Sequence, residues 1–233
     1  MKRFYKQTST QRSSDEGGYA VYLDQRELKT AAKRNLVLPT EALAQVVAEE
    51  WYAQDEDIDP ASMPMTAYSF TALDVVADKL AAVQDEVARY GETDLLCYIT
   101  DEPAELSQRL TAAWQPMLDW SAKSLDAPLT ITAGLMAIDQ PAESVAALRR
   151  HVVALDLFEL TAVQTMTSIL GSLVLSLAIV TGQITADQAF DLARLEEAFQ
   201  AEQWGQDEDD ADKQAKDRAE LLNATRFLQM VRV

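Results

Sequence analysis

The chain has very few of the residues that build common metal, redox and nucleotide sites. Among 233 residues it contains one histidine, His151, and one cysteine, Cys97. A zinc site built from Cys and His needs several such ligands and a disulfide needs two thiols, so neither can form within the chain. There are only seven glycines, and no GxGxxG or GxxxxGK(S/T) loop occurs that would bind a dinucleotide or a triphosphate. The sequence therefore predicts no cofactor, no metal and no catalytic residue, and it disfavours an ATP-driven mechanism.

Positive charge is also scarce. The formal net charge is −18, and residues 187–220 carry twelve acidic residues against four basic ones. Nucleic acids and anionic membranes repel such a chain, so we expect neither as a partner. A strongly negative C-terminal third favours a partner with a basic surface, although the same charge would also serve solubility alone.

In the first sixty residues, side chains fall alternately on two faces, as they do in β-strands, and a segment with helical spacing follows. Tyr19, Val21 and Leu23 fall on one face of a strand, and a shorter strand ends at Leu38 before Pro39. Thr40 occupies the N-cap position of a helix whose apolar spacing runs from Leu43 to Trp51. We place Trp51 in the core.

The remaining chain is mostly helical in pattern. The helices that we predict follow apolar seams in three segments: Leu73 to Tyr90, Leu106 to Ser121, and Val145 to Leu155. Two short β-rich segments, 94–99 and 129–135, interrupt them, and we expect these to add strands to the N-terminal sheet. The predicted fold class is α+β, with a small β-rich domain over 1–65 that includes a helix and a larger mainly helical domain over 66–233.

Leu160 to Ala186 contains no charged residue. A membrane span is considered and rejected, because the densely apolar part is shorter than the ~20 residues that a bilayer requires and Gly171 and Gly182 interrupt it. The pattern instead predicts the central helix of a bundle. Thr185 and Gln188 match a capping box that begins the next helix, and a last amphipathic helix is predicted after the acidic run Asp207–Asp210.

Three further patterns suggest chemistry without completing it. Asp55, Asp57 and Asp59 have the spacing of a calcium loop, but Pro60 replaces the turn glycine and Thr66 the closing glutamate, so we predict a solvated loop. His151 is predicted to be a surface residue. Adjacent acids, such as the pairs at 49–50 and 196–197, point about 100° apart on a helix and cannot face one another across a substrate.

A set of short blocks keeps its order along the chain: KRFYK, YAVYLD, LKT, LPTEAL, EEW, ARYGETDLLCY, LDW and LEEAFQAEQWG. The set runs from Lys2 to Gly205 and resembles the family of ATP synthase assembly chaperones of mitochondria and alphaproteobacteria. The resemblance implies a protein that binds the unassembled alpha subunit of the catalytic F-one head and shields its interface until the beta subunit replaces it, without using ATP. The basic start belongs to the first block, so we expect a cytoplasmic bacterial protein, with the mitochondrial matrix as the alternative. Gln25 stands where the family commonly has a turn glycine.

The last block, LEEAFQAEQWG, is the candidate partner-binding site. On a helix, Glu196, Gln200 and Gln203 share one side with Glu197 beside them, which forms an acidic stripe ending at Trp204. The alternative is an ordinary solvated face with Trp204 closing the core. By resemblance, the acidic pair belongs to the surface that the family uses on its client.

Two other functions remain open from the residues alone. A hydrolase or transferase could use carboxylates alone, in a cleft between the two domains, although no motif supports it. A scaffold with a different client is the other alternative.

Overall fold

The computed structural model describes residues 2–13, 17–133, 138–205 and 207–233. The chain forms two compact units. The first comprises Met1–Leu80, Leu157–Ala162 and Asn223–Val233, and the second comprises Ala81–Asp156 and Val163–Leu222. The first unit holds the sheet and the second is mainly helical, which confirms the α+β class. The predicted domain boundary after residue 65 stays a prediction.

The N-terminal sheet is organised around one strand. Four strands form it: β1 (Thr8–Arg12), β2 (Tyr19–Leu23), β3 (Arg26–Glu27) and β4 (Val37–Leu38). Strand β2 pairs antiparallel with each of the other three. The turn after β2 needs no glycine at Gln25, because Asp24 takes the positive φ of 54°, a conformation that Asp tolerates. The Asp24 carboxylate also accepts hydrogen bonds from the backbone N–H groups of Lys6 and Gln7.

Helix α1 (Glu41–Tyr52) packs on this sheet. As predicted, Thr40 caps it, because the Thr40 hydroxyl accepts a hydrogen bond from the backbone N–H of Leu43 at 3.1 Å. Trp51 is buried, which confirms its predicted place in the core. The first sequence block holds the end of this helix, since the Tyr5 hydroxyl donates to the Trp51 carbonyl at 2.7 Å and Arg3 donates to the Tyr52 carbonyl at 3.2 Å.

Glu50 of the EEW block caps the following helix, α2 (Pro64–Thr71). Its carboxylate accepts hydrogen bonds from the backbone N–H groups of Met65 and Thr66 and from the Thr66 hydroxyl, all at 2.7–2.8 Å. Burial of Glu50 raises the pKa of its carboxyl group, and these hydrogen bonds oppose that shift. Glu49, by contrast, is exposed.

We expect Glu50→Ala to lower the free energy of unfolding by about 1–2 kcal/mol, because it removes the acceptor for the first N–H groups of α2. Thermal melts followed by circular dichroism measure this. Glu49→Ala is the matched control. Its free energy of unfolding should lie within about 0.5 kcal/mol of the wild-type value, as is usual for substitutions of exposed residues. Equal melting of the two variants would show that Glu50 does not stabilise α2.

The long helix predicted up to Tyr90 is helical but not uniform. After α2 the chain makes a π-helical segment (Ala72–Val76) and a 3₁₀ segment (Ala77–Lys79) before α3 (Leu80–Arg89). Each change of helix type rotates the apolar seam. Val76, Val83 and Val87 are buried as predicted, whereas Leu80 is 40% exposed, so its predicted place in the seam is wrong.

The second unit contains α4 (Ala104–Ser124), α5 (Ala142–Val153) and α7 (Leu173–Val180), with most of α6 (Leu157–Leu170). The predicted single helix from Leu160 is two helices, α6 and α7, because Gly171 takes a φ of 63° between them and Ser172 caps the second. Among the described residues, no helix has both the length and the hydropathy needed to cross a membrane.

The two β-rich segments form their own small sheet. Residues 95–97 are a 3₁₀ turn, and only β5 (Tyr98–Ile99) is extended. It pairs in parallel with β6 (Thr132–Ala133) rather than with the N-terminal sheet. Residue 135, the predicted end of the second segment, lies outside the described residues. Cys97 is buried in the turn rather than on a strand, and burial raises the pKa of its thiol to about 12.

Asp94 links this turn to α7. The side chain is fully buried. Its two carboxylate oxygens accept different hydrogen bonds, Oδ1 from the Leu96 N–H at 3.1 Å and Oδ2 from the Val174 N–H at 3.0 Å. Burial raises the pKa of Asp94 to about 6, although these bonds lower it. Gly91 packs closely nearby, since a Cβ there would lie 2.8 Å from Leu148 Cδ1 and the end of that side chain would have to shift. Asp94 and Gly91 of the block ARYGETDLLCY therefore have structural roles.

The other motifs have structural roles in the described part of the chain. Asp59 caps a 3₁₀ turn by accepting a hydrogen bond from the Ala61 N–H at 3.0 Å. No group of three or more potential metal ligands occurs among the described residues. His151 is half-buried rather than fully exposed, and its Nε2 lies 3.3 Å from the Leu125 carbonyl oxygen.

Candidate functional site

The candidate site is built on the helix that follows α8 (Ala186–Ala193). Helix α8 begins with the predicted capping box, in which the Thr185 hydroxyl accepts from the Gln188 N–H and the Gln188 side chain accepts from the Thr185 N–H. Arg194 then leaves helical geometry, and α9 (Leu195–Trp204) carries the last sequence block. Gly205 ends α9 with a φ of 86°.

One face of α9 packs against the rest of the second unit, to which α9 belongs. Phe199 is buried, and the Arg109 guanidinium of α4 lies 5.1 Å from the centroid of its ring. Arg109 also pairs with Glu202 of α9 at 2.7 Å and with Glu105 at 2.8 Å. These contacts settle which face of α9 points to solvent.

The solvent face of α9 is the rest of the helix surface, and all five predicted partner-binding residues are exposed on it: Glu196, Glu197, Gln200, Gln203 and Trp204. Trp204 is 79% exposed, so the alternative in which it closes the core is wrong. A large apolar side chain held in water at the end of an acidic helix face is typical of a binding surface rather than of a structural contact.

Two grooves flank this face. The first, which we name the α9–α10 groove, has a volume of about 400 Å³ and lies between α9 and α10 (Glu208–Arg232). Its lining is Arg194, Glu197, Gln200, Ala201, Trp204, Gly205, Asp207, Asp210, Lys213, Gln214 and Asp217. The second, of about 520 Å³, lies on the side of Leu95, Trp114 and residues 168–171, and shares Arg194, Glu197 and Gln200 with the first. Gln203 lines neither groove.

Comparison with known proteins decides the family. Residues 2–122, more than half of the chain, match the ATP12 chaperone protein family. The chain belongs to the ATP12 chaperone family. It is 41% identical to Atp12 from Paracoccus denitrificans, with a TM-score of 0.96 over 99% of this chain and 98% of that chain. A mutant of the same Paracoccus protein gives the same identity and TM-score.

Further relatives extend the ATP12 assignment. An Agrobacterium tumefaciens protein named as a candidate chaperone is 38% identical, with a TM-score of 0.93 over 98% of this chain and 85% of that chain. The mitochondrial protein atp12 of Schizosaccharomyces pombe is 26% identical over 220 aligned residues, and the match covers 89% of this chain and 75% of the relative. The chain is thus an ATP12-type assembly chaperone, as the ordered blocks predicted, and membership of a chaperone family favours a non-enzymatic role.

Arg194 is a residue of the candidate site that the sequence blocks did not reveal. It lines both grooves. Its Nη2 donates to the Ile169 carbonyl at 2.8 Å and lies 3.4 Å from the Asp217 carboxylate. Arg194 therefore joins α6, α9 and α10 at the centre of the site. Its position directly before the LEEAFQAEQWG block is the available signal, but its two partners, Ile169 and Asp217, lie 25 and 23 residues away in the sequence.

The acidic run belongs to a helix, which corrects the prediction that the last helix follows it. Helix α10 begins at Glu208, and Asp207 precedes it, with its carboxylate accepting from the Asp209 N–H at 2.8 Å. Acidic side chains in the first turn favour this start because the helix dipole is positive there. Two residues of the run, Asp207 and Asp210, line the α9–α10 groove.

Proposed function

We propose that this ATP12-family chaperone binds the unassembled alpha subunit of the ATP synthase F-one sector through the solvent face of α9. In this role it covers the alpha surface that the beta subunit later occupies. The observation that carries the proposal is the placement of Trp204, 79% exposed, at the end of a helix face that also presents Glu196 and Glu197 to solvent.

The physical properties of an unassembled client subunit support this role. Large subunit interfaces are apolar and aggregate when they are unpaired. Trp is among the residues that contribute most to protein interfaces, and flanking carboxylates orient a client with a basic surface and speed its association. A chaperone of this kind releases its client when the true partner competes more strongly, so no energy source is needed.

An aggregation assay tests the proposal. Purified alpha subunit diluted from denaturant should scatter light, and an equimolar amount of this protein should suppress that scattering. If the protein suppressed the aggregation of several unrelated proteins to the same extent, the result would instead support a general scaffold. Failure to suppress aggregation of the alpha subunit would contradict the proposal.

We expect the interaction to be independent of ATP, because the sequence contains no loop that binds a triphosphate. Isothermal titration of the protein with ATP and magnesium should give no heat beyond dilution, and suppression of aggregation should be the same with and without the nucleotide. Micromolar binding of ATP would contradict this prediction.

The cellular setting proposed is the cytoplasm of an alphaproteobacterium, with the mitochondrial matrix as the alternative. Support comes from relatives of both kinds: a Paracoccus protein at 41% identity and a fission-yeast mitochondrial protein at 26%. Immunodetection in fractionated cells of the source organism tests this placement.

A further inference from the structure

The α9–α10 groove has a second wall that the proposed α9 contact does not use. Asp207, directly before α10, and four α10 residues follow one helical face of this wall: Asp210, Lys213, Gln214 and Asp217. Spacings of three and four place them side by side along the helix. Their neighbours Glu208 and Asp209 have the same charge and lie in the same first turn, but do not line the groove. The helix thus provides both a test residue and its control.

The α9 wall of the groove contributes Trp204. Its 79% exposure leaves most of the ring in contact with water, and Gly205 provides the positive φ that ends the helix beside it. The faces of an indole ring attract cations more strongly than other aromatic side chains do. Trp204 is therefore suited to contact a long cationic side chain as well as apolar groups.

The charge of the lining identifies the partner chemistry. Four carboxylates line the groove, from Glu197, Asp207, Asp210 and Asp217, against the two cations Arg194 and Lys213. Arg194 already contacts the Asp217 carboxylate and the Ile169 carbonyl. The groove is therefore complementary to positive charge. It is not complementary to a bare divalent ion, since no group of three potential metal ligands occurs among the described residues.

We propose that the α9–α10 groove binds an extended segment of the partner protein that carries Lys or Arg, with the cationic side chain against the Trp204 ring and the Asp210 carboxylate. The volume of about 400 Å³ suits one or two long side chains rather than a folded element. The inference rests on the proposed function only in taking the alpha subunit as the protein that supplies the segment.

Two probes and three variants test the groove. The probes are purified alpha subunit and an octa-arginine peptide, and the variants are Trp204→Ala, Asp210→Lys and the control Asp209→Lys. Asp209 and Asp210 both lie in the first turn of α10 and are exposed, so the two reversals change the net charge and the helix-dipole energy equally. Affinities are measured by titration, and the indole N–H resonance of Trp204 is followed by NMR.

The peptide should shift the Trp204 resonance in the wild type and in Asp209→Lys. We expect Asp210→Lys to weaken peptide binding about fivefold or more relative to Asp209→Lys, since the two differ only in groove contact. Trp204→Ala should weaken binding of the alpha subunit about tenfold or more, the loss typical of a central interface tryptophan. Equal losses in the two Asp variants, or a peptide that leaves Trp204 unshifted, would overturn the proposal.

The two probes separate this inference from the proposed function. If Trp204→Ala weakens binding of the alpha subunit but Asp210→Lys binds it as Asp209→Lys does, the groove proposal is overturned and the proposed function stands. If the peptide follows the predicted pattern but alpha subunit does not bind, the groove proposal stands and its client is a different basic protein.

Discussion

Asp94→Ala should cause the largest loss of stability of any single substitution considered, about 3 kcal/mol in the free energy of unfolding. The change leaves two buried donors, the backbone N–H groups of Leu96 and Val174, without their acceptor, and each such orphan costs about 1–3 kcal/mol. It also removes a carboxylate from the N-terminus of α7, where the helix dipole favours it. Chemical denaturation followed by circular dichroism measures the loss.

Two further variants control this result. Asp94→Asn keeps one oxygen but puts an amide NH₂ against one of the two donors, so its stability should lie between those of the wild type and the Ala variant. Glu92→Ala changes an exposed acid in the same loop and should melt as the wild type does. If Asp94→Ala melted like Glu92→Ala, Asp94 would not link the turn to α7.

The effect of Asp94 should also depend on pH. Its pKa of about 6 in the folded state lies above the ordinary value of 3.8, so the folded protein binds this proton more tightly than the unfolded chain does. The contribution of Asp94 to stability is therefore greatest below about pH 4 and falls as the pH rises through 6. The difference in unfolding free energy between the wild type and Asp94→Ala should be larger at pH 5 than at pH 7.5. A smaller difference at pH 5 would contradict the assignment.

The double variant Glu196→Lys/Glu197→Lys should bind the alpha subunit more weakly than the wild type does, while it keeps its fold. Both side chains are exposed, and Glu197 makes only a long contact of 4.0 Å to Arg194. We expect capture of the alpha subunit to weaken about tenfold or more, because two charges on the proposed contact face change sign from negative to positive. The readout is the concentration of protein that halves aggregation of the alpha subunit.

Glu208→Lys/Asp209→Lys is the matched control for that double variant. The two pairs change the charge by the same amount and lie in the first turns of neighbouring helices, so each should lose the same helix-dipole energy, about 0.3–1 kcal/mol per residue. Weaker capture in the α9 variant alone supports the contact. Equal capture by the two variants would mean that the α9 face is merely solvated.

The features that could be predicted from the sequence are those set by neighbouring residues. Thr40 and the Thr185–Gln188 pair cap helices within three residues of themselves, and the ordered blocks identified the family. The exposed face of α9 follows from helical spacing around Phe199. In each case the interaction that decides the structure is local, so the sequence pattern contains it.

The features that escaped prediction depend on distant residues or on changes of helix type. Asp94 bonds to α7, eighty residues along the chain, and no pattern around Asp94 indicates that partner. Leu80 is exposed because the helix becomes π-helical at Ala72, 3₁₀ at Ala77 and α-helical again at Leu80, which a fixed 3.6-residue period cannot represent. The groove wall on α10 depends on the turn at Gly205, which places the acidic run beside α9.

The most direct test of the central claim mixes purified protein and purified alpha subunit without nucleotide and separates them by size-exclusion chromatography with light scattering. The account predicts a stable complex of the two, from which added beta subunit releases the chaperone as it takes its place on alpha. Separate elution of the chaperone and alpha would contradict binding, and a ternary complex that retains the chaperone after beta is added would contradict shielding of the beta interface.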